Sequence, residues 1–160
     1  MERLKSIPET EPLIVIATGK YVGEGFNYPR LDTLFIALPV LAGDIEAAQS
    51  SVILSCESVQ YMKGALAKAL QSLGIRGVEC CIIIRKPSSR DDDFRRAGIK
   101  LVETDRQPIR SAVIDRSLLW FGSIDLAGSH HKEEDNIMRV LAPVIASEML
   151  GYMIERSKPE

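Results

Sequence analysis

A chain of 160 residues with 46% hydrophobic and 26% charged side chains has the composition of one ordinary globular domain, large enough to bury a core without staples. A net charge of −2 and a pI of about 5.8 exclude a global field that recruits nucleic acid, so such a partner needs a local basic patch. No apolar run approaches the roughly 18 residues of a membrane span, and the opening Met1-Glu2-Arg3 lacks a signal-peptide core, so a cytoplasmic chain without a membrane partner is expected.

Residues 1–11 are polar and carry Pro8, as a leader or edge segment would. Residues 13–17 and 34–39 are short apolar runs that read as strands, with a glycine-rich loop between them. Residues 43–50 read as a short helix starting near Gly43-Asp44, with an acid in its first turn. A buried strand follows at 51–56. Val59, Met62, Leu66, Ala69, Leu70 and Leu73 recur at helical spacing, which predicts a helix over 58–72 with Gly74 as its stop.

Residues 78–84 form a continuous apolar run of the kind buried on both sheet faces. Cys80 and Cys81 are adjacent on it, so their side chains point to opposite faces and share no metal; with Cys56 they read as small hydrophobes in a reducing compartment. The basic loop 85–90, which begins with Arg85-Lys86, leaves the end of that strand, where open α/β sheets build their binding crevices. Asp91, Asp92 and Asp93 diverge from one another and fit the start of a helix over 92–97, ended by Gly98. A strand over 99–103 comes next.

Residues 111–114 and 118–121 are two apolar runs joined by Asp115-Arg116-Ser117, a β-hairpin pattern with a tight polar turn. Trp120 and Phe121 alternate on the second arm, so one faces the core and the other faces away. A polar loop over 126–135, a strand over 136–141 and a helix over 142–156, with Pro143 in its first turn, complete the chain.

The hairpin carries a family resemblance. From Pro108 to Asp125 the spacing is that of H-x-K-x4-D-x6-G-S-x-N, the signature of the phospholipase D superfamily, with Pro108, Arg110, Asp115, Gly122-Ser123 and Asp125 in the successive places. The runs V-I-D-R-S-L-L-W-F-G-S-I-D and E-E-D-N-I-M-R-V also resemble phospholipase D-like modules fused C-terminally to bacterial helicases. The resemblance implies an α/β fold, a phospholipase D-like half with a mixed sheet flanked by helices. In that family the histidine attacks phosphorus, the lysine and asparagine bind phosphate oxygens, and the aspartate orients the motif. Proline offers no nucleophile, whereas arginine keeps a charged, forked donor set. The implied module is a phosphodiesterase that has lost catalysis and retains phosphate contacts at Arg110 and Ser123, to which the basic loop adds Arg85 as a further candidate. One motif copy, where two-site enzymes carry two, implies a homodimer.

A second resemblance lies upstream. Residues 17–33, A-T-G-K-Y-V-G-E-G-F-N-Y-P-R-L-D-T, resemble motif V of superfamily 2 helicases, with Asn27 in place of the usual Asp. No G-x-x-x-x-G-K-[ST] frame and no D-E-x-H box accompany it, so no helicase motor is implied and the string reads as strand and loop. The expected organisation is an N-terminal segment over 1–39 and a phospholipase D-like domain over 40–160.

His130 and His131 are the only histidines, next to Glu133 and Glu134. Two functions could be assigned to them, a substitute nucleophile or base for a weak nuclease, or a metal site. Against both, the pair lacks the i, i+4 spacing of helical zinc ligands and reads as a solvated charged loop. Asp115 also fits its turn on backbone grounds alone. The sequence thus implies a catalytically degenerate module that binds DNA or RNA backbone or another phosphate, with no cofactor or metal. A weakly active homodimeric nuclease and a non-catalytic assembly module are the alternatives.

Overall fold

The computed structural model describes residues 37–127 and 137–158, which belong to the second of two compact units, Ala37–Glu160. The chain order is α1 (Ala37–Ala47), β1 (Ser51–Cys56), α2 (Gly64–Ile75), β2 (Glu79–Ile84), α3 (Asp91–Arg96), β3 (Lys100–Glu103), β4 (Ser111–Ile114), β5 (Leu118–Gly122), β6 (Ile137–Leu141) and α4 (Pro143–Arg156). The six strands form one mixed sheet in the order β3-β2-β1-β4-β5-β6. β1, β2 and β3 are parallel, and β4, β5 and β6 continue the sheet by antiparallel pairing from the other side of β1.

Period-two alternation divides the side chains between two layers. Val52 and Leu54 of β1, Ile82 and Ile84 of β2, Ala112 and Ile114 of β4 and Trp120 of β5 join the cluster that contains Leu41 and Ile45 of α1, Leu70 and Leu73 of α2 and Phe94 of α3. Ile53, Ile83, Val113 and Leu119 point the other way and meet Ala146, Leu150 and Met153 of α4. The spacing of those three α4 residues is the i, i+4, i+7 stripe of an amphipathic helix. Burying Leu150 and Met153 contributes about 2 kcal/mol each. Cys80 and Cys81 fall on opposite layers, as neighbours on a strand must.

Several boundaries differ from the sequence expectation. The first helix is not 43–50 but Ala37–Ala47, so residues 37–39 belong to a helix rather than to an extended run. Pro39 is tolerated because the N–H groups of a first helical turn have no intrahelical partner. The next helix begins at Gly64 and not at residue 58; Val59 and Met62 are buried from a turn that closes through the Met62 N–H to the Val59 carbonyl at 3.1 Å. Periodicity alone could not separate buried turn residues from helical ones.

Gly74 is not the stop of α2 but lies inside it, where a Cβ would come within 2.0 Å of the Ala97 carbonyl oxygen. The glycine is there for close approach of the two backbones. The αL residue that follows the helix is Gly77, at φ +71°. The segment read as a polar loop from residue 126 begins with two core residues, since Leu126 and Ala127 are buried. The segments 13–17, 17–33 and 128–136 lie outside the described residues.

Candidate functional site

Sheet topology brings the sequence-predicted cations to one end. β1, β2 and β3 run in the same direction, so their exits, at Glu57, Arg85 and Thr104, emerge together. β4 runs against them, with Ser111 paired to Ser55, so its entry at Arg110 lies beside the exit of β1. β5 returns to the same end at Gly122, which is paired with Ile137 at the start of β6. Adjacent strands are about 4.8 Å apart, so charges at neighbouring exits lie within reach of one anion.

Arg110 is exposed and doubly tied to the motif glycine and serine. The Gly122 N–H donates to the Arg110 carbonyl at 3.2 Å, and Nη1 of Arg110 donates to the Ser123 carbonyl. The side chain is therefore held by one nitrogen along the strand end, leaving the rest of the guanidinium fork without a protein hydrogen bond among the described residues. Asp125 accepts the Ala127 N–H at 3.2 Å, an Asx turn that shapes the chain after the motif serine. Pro108 lies half-buried two residues before Arg110.

At the neighbouring exits, Oε1 of Glu57 accepts Nζ of Lys86 at 2.8 Å and Nη1 of Arg85 at 3.2 Å. The same segment is fixed through the main chain, since the Arg85 and Lys86 N–H groups donate to the Glu57 carbonyl at 3.2 and 2.8 Å. The hydrogen bond from Lys86 outweighs burial and, with the charges of Lys86, Arg85 and Arg110, holds the Glu57 carboxyl below its ordinary value. The influence of Arg110 on Glu57 places the hairpin cation in the same electrostatic field as the β2 exit. Sequence reasoning anticipated Arg85, Lys86 and Arg110 but missed Glu57. The signal was available, because parallel strands put the residues after their last positions side by side.

Asp115 stands at the opposite end of the sheet. Asp115 and Arg116 have φ values of +50° and +55°, a left-handed pair at the centre of the turn that the Ser117 N–H closes to the Ile114 carbonyl at 3.1 Å, and Ser117 completes the three-residue connection to β5. The Asp115 carboxylate accepts the N–H groups of Gln49, Ser50 and Ser51 at 2.9, 2.8 and 3.0 Å, and the Ser50 hydroxyl at 2.9 Å. Burial works to raise its pKa, but these donors outweigh it and hold the carboxyl below its usual range. The motif aspartate thus locks the hairpin to the start of β1, a strand's length from Arg110.

A second polar constellation, not foreseen, joins α1 to the hairpin. Asp44 accepts the Trp120 indole Nε1–H at 2.8 Å and both arms of Arg139 on β6, at 2.7 and 2.9 Å. Burial raises the Asp44 pKa, and the bonds from Arg139 and Trp120 more than reverse it. Trp120 is buried on the α1 layer and Phe121 is partly exposed on the other, as alternation requires. Arg90, also in the basic loop, is occupied structurally: it donates to the Met62 carbonyl and lies 5.7 Å from the centre of the Phe94 ring. His130, His131, Glu133 and Glu134 lie outside the described residues. Among the described residues no group of three His, Cys, Asp or Glu side chains could hold a metal ion, and no helix is long and apolar enough to cross a membrane.

Neither protein-family models nor curated protein sequences give a match to this chain. Solved structures do. Nuc from Salmonella typhimurium, described as a phospholipase D family member, aligns with a TM-score of 0.62 at 17% identity, over 75% of this chain and 86% of its own. The domain shares the phospholipase D-like fold. NucT from Helicobacter pylori aligns at a TM-score of 0.60 and 18% identity, over 75% and 88% of the two chains. TrmBL2, an archaeal chromatin protein described as having a novel mode of DNA binding, aligns at 0.53 and 18% identity, over 73% of this chain and 47% of its own. The mixed six-stranded sheet with helices on both faces is the architecture expected for a phospholipase D-like half.

Proposed function

We propose that this domain is a catalytically degenerate phospholipase D-like module that binds phosphate, first of all the backbone of DNA or RNA, through Arg110, Arg85 and Ser123. The observation that carries the reading is the convergence of Arg85, Lys86 and Arg110 on one end of the sheet, around Glu57. A guanidinium stays charged at any accessible pH and offers forked donors that match two phosphate oxygens. Loss of hydrolysis is supported by Pro108 in the histidine place, since a pyrrolidine ring can neither attack phosphorus nor carry a proton. The DNA binding stated for TrmBL2 favours a nucleic-acid backbone over a small phosphate. The single motif copy supports a homodimer, and the motif V-like string at 17–33 supports descent from a helicase-associated gene.

The test is salt-dependent binding of labelled single- and double-stranded DNA to wild type and Arg110→Ala. Each phosphate contact adds a log–log salt slope of about −0.7 on single strands and about −0.9 on duplex. Arg110→Ala is expected to bind more weakly at low salt and to flatten the slope by one such contact. Failure of wild type to bind at low salt would refute the reading and leave an assembly module. Cleavage of the DNA by the same preparation, lost in His130→Ala or His131→Ala, would replace degeneracy with a weak nuclease.

A further inference from the structure

We propose that Glu57 is a built-in competitor for the phosphate site, occupying Arg85 and Lys86 until a nucleic-acid phosphate displaces it, and so sets how tightly the domain holds nucleic acid. This rests on the phosphate-binding reading above and adds a residue that sets affinity.

The geometry favours exchange over a permanent lock. A single oxygen of Glu57 holds both cations, at 2.8 and 3.2 Å. The side chain of Lys86 is 65% exposed and that of Glu57 25% exposed, so the ion pair opens to water at the end of the sheet. Exposed ion pairs are weak and salt-screened, so a phosphodiester with a full negative charge can take over the cations. The two main-chain bonds to the Glu57 carbonyl keep both strand exits in register whether the cations hold the carboxylate or a phosphate. Arg110 stands in the same field, held through one of its nitrogens among the described residues.

Other arginines of the domain are committed differently. Both arms of Arg139 are taken by Asp44, itself bonded to Trp120. Arg76 donates to the carbonyls of Ile45, Glu46 and Ala48 at the C-terminal end of α1. Those contacts bind element to element and leave nothing for a ligand to displace. The Glu57 contact joins two strand exits already joined by their backbones, so releasing the carboxylate leaves the fold intact.

Neutralising Glu57 should free one further phosphate contact. On single-stranded DNA, a slope of about −0.7 per contact, taken from 1 M salt, corresponds to roughly 8-fold tighter binding at 50 mM and roughly 3-fold at 200 mM. The experiment measures anisotropy of a labelled single-stranded oligonucleotide with wild type, Glu57→Gln, Glu79→Gln and Glu57→Gln/Lys86→Gln. Glu79 lies at the other end of β2, so Glu79→Gln makes the same change in net charge away from the site. Thermal melts establish that each variant is folded, and Glu57→Ala stands in should Glu57→Gln not fold.

The expected result is tighter binding and a steeper salt slope for Glu57→Gln, no comparable gain for Glu79→Gln, and loss of the gain when Lys86 is also removed. Binding by wild type with no gain in Glu57→Gln, or an equal gain in Glu79→Gln, overturns the competitor role and leaves the phosphate site standing. Absence of binding by every protein overturns the phosphate reading and the competitor with it. Binding by Glu57→Gln alone would be the strongest support for both.

Discussion

Replacing Asp115 separates what the motif aspartate does for the hairpin from anything it does for a ligand. In Asp115→Ala, three N–H groups at the start of β1 and the Ser50 hydroxyl lose a charged acceptor. Hydrogen bonds to a charged group contribute about 1.5–3 kcal/mol each when buried, and here water reaches the turn, so the group together is worth about 2 kcal/mol. Alanine at φ +50° adds about 1 kcal/mol that aspartate largely avoids. The sum of about 3 kcal/mol corresponds to a fall in Tm of roughly 10 °C for a domain of this size. Asp115→Asn keeps the left-handed preference and a neutral acceptor, and should lose about half as much.

The pH dependence has a definite sign. The folded pKa of Asp115 is depressed, so its contribution is fully present above the unfolded value and is lost as pH falls through the folded one. The gap in stability between wild type and Asp115→Asn should therefore be constant near neutrality and close below the ordinary aspartate range. Urea titration followed by circular dichroism, at neutral and acid pH, measures both effects. An Asp115→Ala protein within about 0.5 kcal/mol of wild type would refute the turn-lock argument. So would a folded Asp115→Asn that loses phosphate binding, because the carboxylate lies at the far end of the hairpin from Arg110.

Three further outcomes follow from the same reasoning. Trp120 is the only tryptophan, so its fluorescence reports the Asp44 contact; Arg139→Ala and Asp44→Asn should shift its emission and cost about 1–2 kcal/mol in urea unfolding, with Arg139→Lys failing to restore the bidentate pair. Unchanged emission would show that the triad is not formed. Gly74→Ala improves helix propensity by somewhat under 1 kcal/mol, but its methyl group meets the Ala97 carbonyl, so a net loss of about 2 kcal/mol is expected and a gain in stability would contradict the close packing. Burial pushes the Cys80 thiol up to about 12 and raises Cys56 and Cys81 as well, so thiol reagents should label the folded domain slowly at neutral pH and all three cysteines quickly in denaturant. Rapid labelling of Cys80 in the native protein would contradict its burial.

How much was legible in the sequence depended on the range of the interaction. The strands at 51–56, 111–114 and 118–121 could be read because a run of apolar residues between turn formers is a local pattern. The hairpin turn could be read for the same reason, since the left-handed preference of aspartate belongs to the residue and its neighbours. Helix limits were less legible. Val59 and Met62 carry helical spacing yet are buried from a turn, and Gly74 looks like a stop but serves contact with residue 97, which no local pattern contains.

The candidate site shows the same division. Spacing alone aligned Arg110, Asp115 and Ser123 on one motif, and the chemistry of arginine and proline alone argued for phosphate contact without a nucleophile. The hairpin pattern already put Asp115 at the turn and Arg110 at the open end; only the tertiary structure decided that the Asp115 carboxylate is bonded to Gln49, Ser50 and Ser51 at the start of β1. Only the sheet order placed β1 between β2 and β4, bringing Glu57 beside Arg85, Lys86 and the field of Arg110. The composition of a chain states which charges it has, and a mixed sheet decides which of them share an end.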